Sequence, residues 1–340
     1  MSATGRSKIF ARRLWPLLKL LIATSILFVI FRLVPLPDVA GAIASARMEY
    51  LLISVPVILL TPYLSAARLK ILTDSHGMSL SVREILEVNF VTRFYSLIVP
   101  GQLAAGALRW LRLTQIENRK AEILAAILFS RILHLTGLGL LGVIFFAADR
   151  QQGGAASSVA LLLLIGALLF AVFLLRFGSR SGVEPRQGAG RLHQLVASVK
   201  SFRSLSRRDW GRLIGLSLAE NLAATVVVYI LALAVHVSLP FVVLGWIRAA
   251  VQLLVFVPIS ISGLGVREGS LLLALEPYGV SGANALALSF LLFGIGLLTG
   301  LIGGFLELRR HAPRATRRVR ADRRDASSRQ PGAVAPGDSH

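Results

Sequence analysis

The chain has 340 residues, 55% hydrophobic and only 16% charged, with 37 Lys and Arg against 17 Asp and Glu for a formal charge of +20. Soluble domains average about 25% charged residues. Here the apolar residues come in blocks of about 20, the length needed to cross ~30 Å of hydrocarbon, which leaves too little other sequence for a soluble domain.

Cysteine is absent, which excludes disulfides, thiolate metal sites and cysteine nucleophiles. The six histidines make no H-x-x-x-H pair, so neither a metal site nor another cofactor is expected. The basic charge is not spread as a nucleic-acid surface would need. Most of it lies in clusters at 6–13, 68–83, 112–120, 176–212 and 309–329, separated by apolar blocks and by stretches with almost none. That alternation is the positive-inside signature of a multi-pass membrane protein, with anionic lipid rather than nucleic acid as the partner.

In chain order, a basic cytoplasmic segment at 1–13 precedes a first span at 14–34, which has no small-residue cleavage pattern and reads as uncleaved. Further spans are expected at 51–67, 123–147, 159–177, 213–235 and 283–308, six in all. With the N-terminus inside, every basic cluster falls in the cytoplasm of a cell bounded by its inner membrane. The linker 178–212 and the basic tail 309–340 then lie on that side, the tail disordered.

Two apolar segments remain, both interrupted. "ILEVNFVTRFYSLIVPGQLAAGALRWLRL" (85–113) breaks at Pro100 and Gly101. "FVVLGWIRAAVQLLVFVPISISGLGVREGSLLLAL" (241–275) breaks at Pro258, Gly263 and Gly265. Proline removes an amide donor and glycine unwinds the helix, so the chain can turn back there. Exposed backbone cannot face lipid, so each break must be buried in protein or line an aqueous cavity.

The order is therefore span, span, hairpin, span, and the same again from the opposite side. The fold expected is an all-α polytopic membrane protein, with about six spanning helices and two re-entrant broken-helix hairpins in an inverted-topology repeat. Its membrane domain is 14–308, repeat one 14–147 and repeat two 159–308. Transporters of this design place substrate at the midplane between the broken helices.

Arg93, Arg109, Arg131, Arg248 and Arg267 fall near membrane depth against Glu220 and Glu268, with Glu84 and Glu87 nearer the mouth. A charge at the bilayer centre costs ~2.5–3.5 kcal/mol on insertion scales, so five arginines call for partners. Adjacent helical side chains diverge by about 100°, so Arg267 and Glu268 are expected to pair elsewhere, and Glu220 to pair with an arginine. Arg131 and His134 share a helix face. Cation remains in excess, and the planar guanidinium fork suits phosphate. The expected substrate-binding set is Arg109, Arg267, Glu268, Arg131, Glu220 and Ser260. The bland alternatives are snorkelling of Arg93, Arg109 and Arg248 to bilayer phosphates, and purely structural pairing of Arg267 and of Glu268 without substrate contact.

"GLGVREG" spaces its glycines wrongly for a dinucleotide fingerprint and lacks the preceding strand. Gly296, Gly300 and Gly304 fall at four-residue intervals, which permits close approach to another helix of this chain or of a second copy in a homodimer.

The blocks "FYSLIVPGQLAAGALRWLRL" and "VPISISGLGVREG" resemble those of a flippase-like integral membrane family related to the transmembrane region of lysylphosphatidylglycerol synthases, over about residues 10–310. Ser96 stands where that family usually has Asn, Gly106 where an acidic residue is common, and "LSFLLFGIG" lacks the arginine frequent in its last helix. The soluble aminoacyl-transferase domain is missing. The resemblance implies lipid translocation rather than aminoacylation, with no catalytic residue. The expected function is a lipid transporter that moves or binds an anionic or isoprenoid-phosphate lipid, gradient-driven or equilibrating, with Glu220, His134 or Glu268 as proton carrier. The alternatives are a membrane transferase using Glu268 with Ser260, Ser262 or His134, and a non-transporting partner of a lipid-modifying enzyme.

Overall fold

A computed structural model describes residues 28–30, 32–98, 102–149, 205–256 and 265–327, with scattered positions between 158 and 202. Its elements are α1 (Leu36–Ala44), α2 (Met48–Asp74), α3 (Val82–Ile98), α4 (Gln102–Ile116), α5 (Lys120–Ala148), α6 (Arg207–Ala234), α7 (Phe241–Phe256), α8 (Val266–Leu275), a 3-10 turn (Glu276–Tyr278) and α9 (Gly282–Ser327). The protein is all-helical among the described residues. Among the described residues four helices are long and apolar enough to cross a membrane: α2, α5, α6 and the Gly282–Arg309 part of α9. The spans expected at 14–34 and 159–177 lie mostly outside the described residues, as do the breaks Pro100, Gly101, Pro258 and Gly263.

Local chemistry sets the boundaries. Ser81 and Glu84 form a reciprocal capping box at α3: the Ser81 N–H donates to Glu84 Oε2 at 2.8 Å and the Glu84 N–H donates to Ser81 Oγ at 3.2 Å. Ser206 caps α6 by accepting from the Asp209 N–H at 3.1 Å. Helix α6 stops where His236 takes φ +59° and Val237 N–H returns to the Ala232 carbonyl. Pro62, inside α2, leaves the Ile58 carbonyl without its helical donor; Thr61 Oγ1 fills the place at 2.8 Å. At the second break Gly265 has φ +80°, a conformation open to glycine, and it begins α8.

Beyond Arg309 the tail departs from expectation. Helix α9 runs on to Ser327, so the first part of the basic segment is helical rather than disordered. Alanine and arginine dominate it, and both are strong helix formers.

Helices α2 and α6 pack on each other through the middle of the bundle. Around them α3 packs on α9 and α7 on α5, α3 on α4 and α7 on α8, α4 on α5 and α8 on α9, and α2 on α3 and α6 on α7. Exchanging α2–α5 with α6–α9 turns each of these contacts into another of them.

The apolar core has two large clusters, with a small third one of Ile30, Val34, Val39 and Leu286. One cluster joins Leu138 and Phe146 of α5, Val227 to Leu231 of α6, Trp246 and Ile247 of α7, Leu271 of α8 and Leu288 of α9. The other joins Leu69 and Leu72 of α2, Ile85 and Val88 of α3, Leu113 of α4, Ile123 and Leu133 of α5 and Leu213 of α6. On α5 the change of cluster falls between Leu133 and Leu138, and on α6 between Leu213 and Val227. His134 and Glu220 occupy those intervals, so the bundle has two greasy ends and a polar waist.

Two buried carboxylates tie the ends. Glu307 of α9 accepts from Tyr95 Oη of α3 at 3.2 Å and from Arg112 of α4. Asp149, just past α5, accepts from Trp246 Nε1 of α7 at 3.0 Å and from the Tyr278 hydroxyl after α8. Burial, with the bond to Asp149, pushes the Tyr278 phenol above its ordinary range, so it remains the donor. At the Glu307 end, Glu117 accepts from Ser79 N–H and Oγ at 2.7 Å each. Those two bonds hold its carboxyl below the usual range. Their small, solvent-screened contribution is present above the ordinary glutamate pKa and fades as pH falls through the lowered one.

Candidate functional site

The polar waist holds a cavity in two lobes. The first, about 320 Å³, is lined by Arg68, Arg93, Arg109, Arg131, His134 and Glu220, with Asn89, Ser130 and Gly106 among the rest. The second, about 420 Å³, is lined by Arg93, His134, Glu220, Arg248, Gln252 and Arg267 together with apolar residues of α6 and α7. Arg93, His134 and Glu220 belong to both and mark where the lobes meet.

Each side chain arrives from a different element, and the helix pairings explain why. The packing of α2 on α6 brings Arg68 to Glu220: Arg68 Nη1 lies 2.5 Å from Glu220 Oε2 and 3.2 Å from Ser217 Oγ, and Nε donates to Ser130 Oγ of α5 at 3.0 Å. The Arg68 side chain is 3% exposed and that of Glu220 13%. His134 Nδ1 stands 3.5 Å from the same Glu220 oxygen.

Arg68 was not among the site residues expected from the sequence, where it counted toward a cytoplasmic cluster. Helix α2 extends past the apolar window 51–67 to Asp74, and this buries Arg68 against α5 and α6.

Of the expected residues, Arg109 and Arg131 line the first lobe, Arg267 the second, and Glu220 both. Arg93 and Arg248 also face the interior rather than snorkelling outward. Arg93 Nη1 donates to Thr299 Oγ1 of α9 at 3.3 Å, and Arg248 Nη1 to Thr225 Oγ1 of α6 at 3.4 Å. Arg131 lies 5.0 Å from the Phe256 ring centroid, a cation–π contact. Arg109 differs from these: its Nε and Nη2 are buried with no hydrogen-bond partner among the described residues.

Arg267 and Glu268 correct the expectation that they pair elsewhere. Arg267 Nη2 and Nε reach Glu268 Oε1 at 2.7 and 3.2 Å. The long arginine stem folds back across the 100° between neighbouring positions, which Cα geometry alone does not reveal. Ser289 of α9 joins the pair, accepting from Arg267 Nε and donating to Glu268 Oε1, both at 3.0 Å. Glu268 Oε2 accepts the Gly265 N–H at 2.7 Å. With both oxygens engaged by protein, and its residue 1% exposed, Glu268 anchors the start of α8 and does not line either lobe. Ser260 lies outside the described residues.

A Cβ at Gly106 would stand 3.9 Å from Arg131 Nη1, in ordinary contact. Gly106→Asp therefore has room for its Cβ and brings a carboxylate toward Arg131 in the first lobe. It is expected to weaken binding of inorganic phosphate to the purified protein about tenfold or more, since one charge-assisted contact is worth ~1.5–3 kcal/mol. Isothermal titration against the parent, with melting temperatures compared, checks it.

The family described as Lysylphosphatidylglycerol synthase TM region matches residues 17–304, which spans nearly all of this bundle. Among curated proteins, none matches the chain.

Proposed function

The chain belongs to the lysylphosphatidylglycerol synthase transmembrane-region family, and from that membership and the arginine-lined waist we infer a lipid transporter. It is a multi-pass membrane protein of a lipid-related family; the proposal is that it moves a lipid with an anionic, phosphate-bearing head group across the inner membrane and carries out no chemistry. The head group enters the polar waist while the acyl or isoprenoid tails stay in lipid. Both termini are cytoplasmic in this reading, which follows the basic clusters.

The observation that carries the proposal is Arg109. Its buried Nε and Nη2 have no partner among the described residues, and a desolvated donor left unpaired costs ~1–3 kcal/mol, more when charged. Such a penalty is tolerated where a ligand removes it. The equivalence of packing between the two halves supports rocking of one half against the other. The Glu307 and Asp149 ties would close opposite mouths, since each joins the last long helix of one half to the broken helix pair of the other.

The test uses full-length protein in liposomes carrying labelled phosphate-bearing lipid. The parent is expected to move lipid between leaflets without changing it, and Arg109→Gln to slow movement about tenfold or more while melting unchanged, the loss of one charge-assisted contact. Full transport by a folded Arg109→Gln protein overturns the reading. Covalently altered lipid would point to the transferase instead.

A further inference from the structure

The two lobes divide the cationic charge in a way that one phosphate does not satisfy. Of the six lining arginines, Arg68 is met by Glu220 at 2.5 Å and Arg267 by Glu268 at 2.7 Å. Arg131 lies over the Phe256 ring; among the described residues Arg93 and Arg248 donate to threonine hydroxyls, at 3.3 and 3.4 Å, and Arg109 keeps two buried nitrogens unpartnered. Glu220 is the only carboxylate residue among the described residues that line either lobe.

Arg93, Arg109 and Arg248 are not gathered at one point. Arg109 belongs to the first lobe, Arg248 to the second, and Arg93 to both. A single phosphodiester, carrying one negative charge, would neutralise one end and leave a buried guanidinium at the other, which is costly in a low dielectric. Both lobes, at about 320 and 420 Å³, fall at the lower end of the ~300–1,000 Å³ typical of ligand pockets, so neither is a mere crevice.

We propose that the head group bears two phosphates, one held in each lobe by Arg109 and Arg248, with Arg93 between them. This rests on the transport reading above and specifies its substrate class. A diphosphate on an isoprenoid and two phosphates on a glycerolipid share that chemistry. Arg109 and Arg267 stand at equal distances along the chain from Pro100 and Pro258, so each broken segment contributes an arginine from its second arm, one to each lobe.

The test compares orthophosphate with pyrophosphate on the purified full chain, by calorimetry at fixed ionic strength. Pyrophosphate is expected to bind about tenfold to a hundredfold more tightly, the effect of one added charge-assisted contact. Arg248→Gln should reduce pyrophosphate affinity about tenfold or more, toward the parent's orthophosphate level, the loss of one charge-assisted contact. Equal affinity of the parent protein for both anions overturns the two-phosphate proposal and leaves a one-phosphate transporter standing. Binding of neither anion, with no lipid moved, overturns both. In liposomes, movement of either an isoprenoid diphosphate or a two-phosphate glycerolipid supports the proposal and identifies the source. Movement of one-phosphate lipid alone overturns it.

Discussion

Glu220→Ala is expected to destabilise the folded protein by about 3–5 kcal/mol, the usual cost of removing one member of a buried ion pair. The loss exceeds that of a surface pair because Arg68 cannot escape: its side chain is 3% exposed and fixed between Ser130, Ser217 and Glu220. The two serine oxygens are poor compensation for a full charge, and His134, 3.5 Å from the lost carboxylate, brings no negative charge to replace it. The double substitution Arg68→Met with Glu220→Leu should recover most of the stability, because two well-packed apolar chains replace a pair whose desolvation offsets its attraction. Lipid movement should not recover, since the second lobe and the first would then meet across an apolar wall. Chemical denaturation in detergent, read beside the liposome assay, separates the two effects. A loss below ~1 kcal/mol for Glu220→Ala would mean that the waist is hydrated enough to screen the pair, as at a surface.

The same pair marks what the sequence can and cannot reveal. The long helices were legible because hydrocarbon thickness imposes their length and composition, and α5 matches the expected 123–147 within a few residues at each end. The intramembrane arginines were legible because charge in an apolar run is expensive. Partner choice was not. Arg68 sits near Lys70 in a stretch that reads as cytoplasmic, and only the extension of α2 to Asp74 and its packing on α6 carry it inward. Glu268 reads as an acid paired away from Arg267, yet one of its oxygens accepts from Arg267 and Ser289 and the other from the backbone of Gly265. Such bonds depend on which carboxylate oxygen points where, a choice made by tertiary packing. Glycine spacing gave a further partial answer. The expected seam of Gly296, Gly300 and Gly304 is in fact Gly300, Gly303 and Gly304 against α3 of the same chain, while a Cβ at Gly296 would meet nothing within 4 Å. A four-residue interval identifies a helix face only to within a turn's neighbours, and the α3–α9 crossing selects among them.

Gly303→Ala is the other substitution expected to have a large effect, about 3 kcal/mol, at the upper end for overpacking. A Cβ there would lie 1.9 Å from the Phe90 carbonyl oxygen and 2.4 Å from its carbon. Both atoms are backbone, so no rotamer change relieves the clash, and α9 must leave α3 by roughly 1 Å or more to restore a normal contact. At Gly245 the nearest atoms belong to the Phe145 ring, at 2.4 Å; a ring can turn, so Gly245→Ala should cost less. Gly296→Ala serves as the control and should be neutral or stabilising by about 0.5–1 kcal/mol, because alanine is the better helix former. Melting of the three proteins in one detergent gives the order; equal melting of Gly303→Ala and Gly296→Ala would show that α3 and α9 are not in backbone contact. Function should follow stability at Gly303 for a second reason. Thr299, one turn earlier on α9, holds Arg93 Nη1 at 3.3 Å, and Arg93 stands where the two lobes meet. Moving α9 away from α3 therefore withdraws the support of the arginine shared by both lobes, so transport should fall even at temperatures where the protein stays folded.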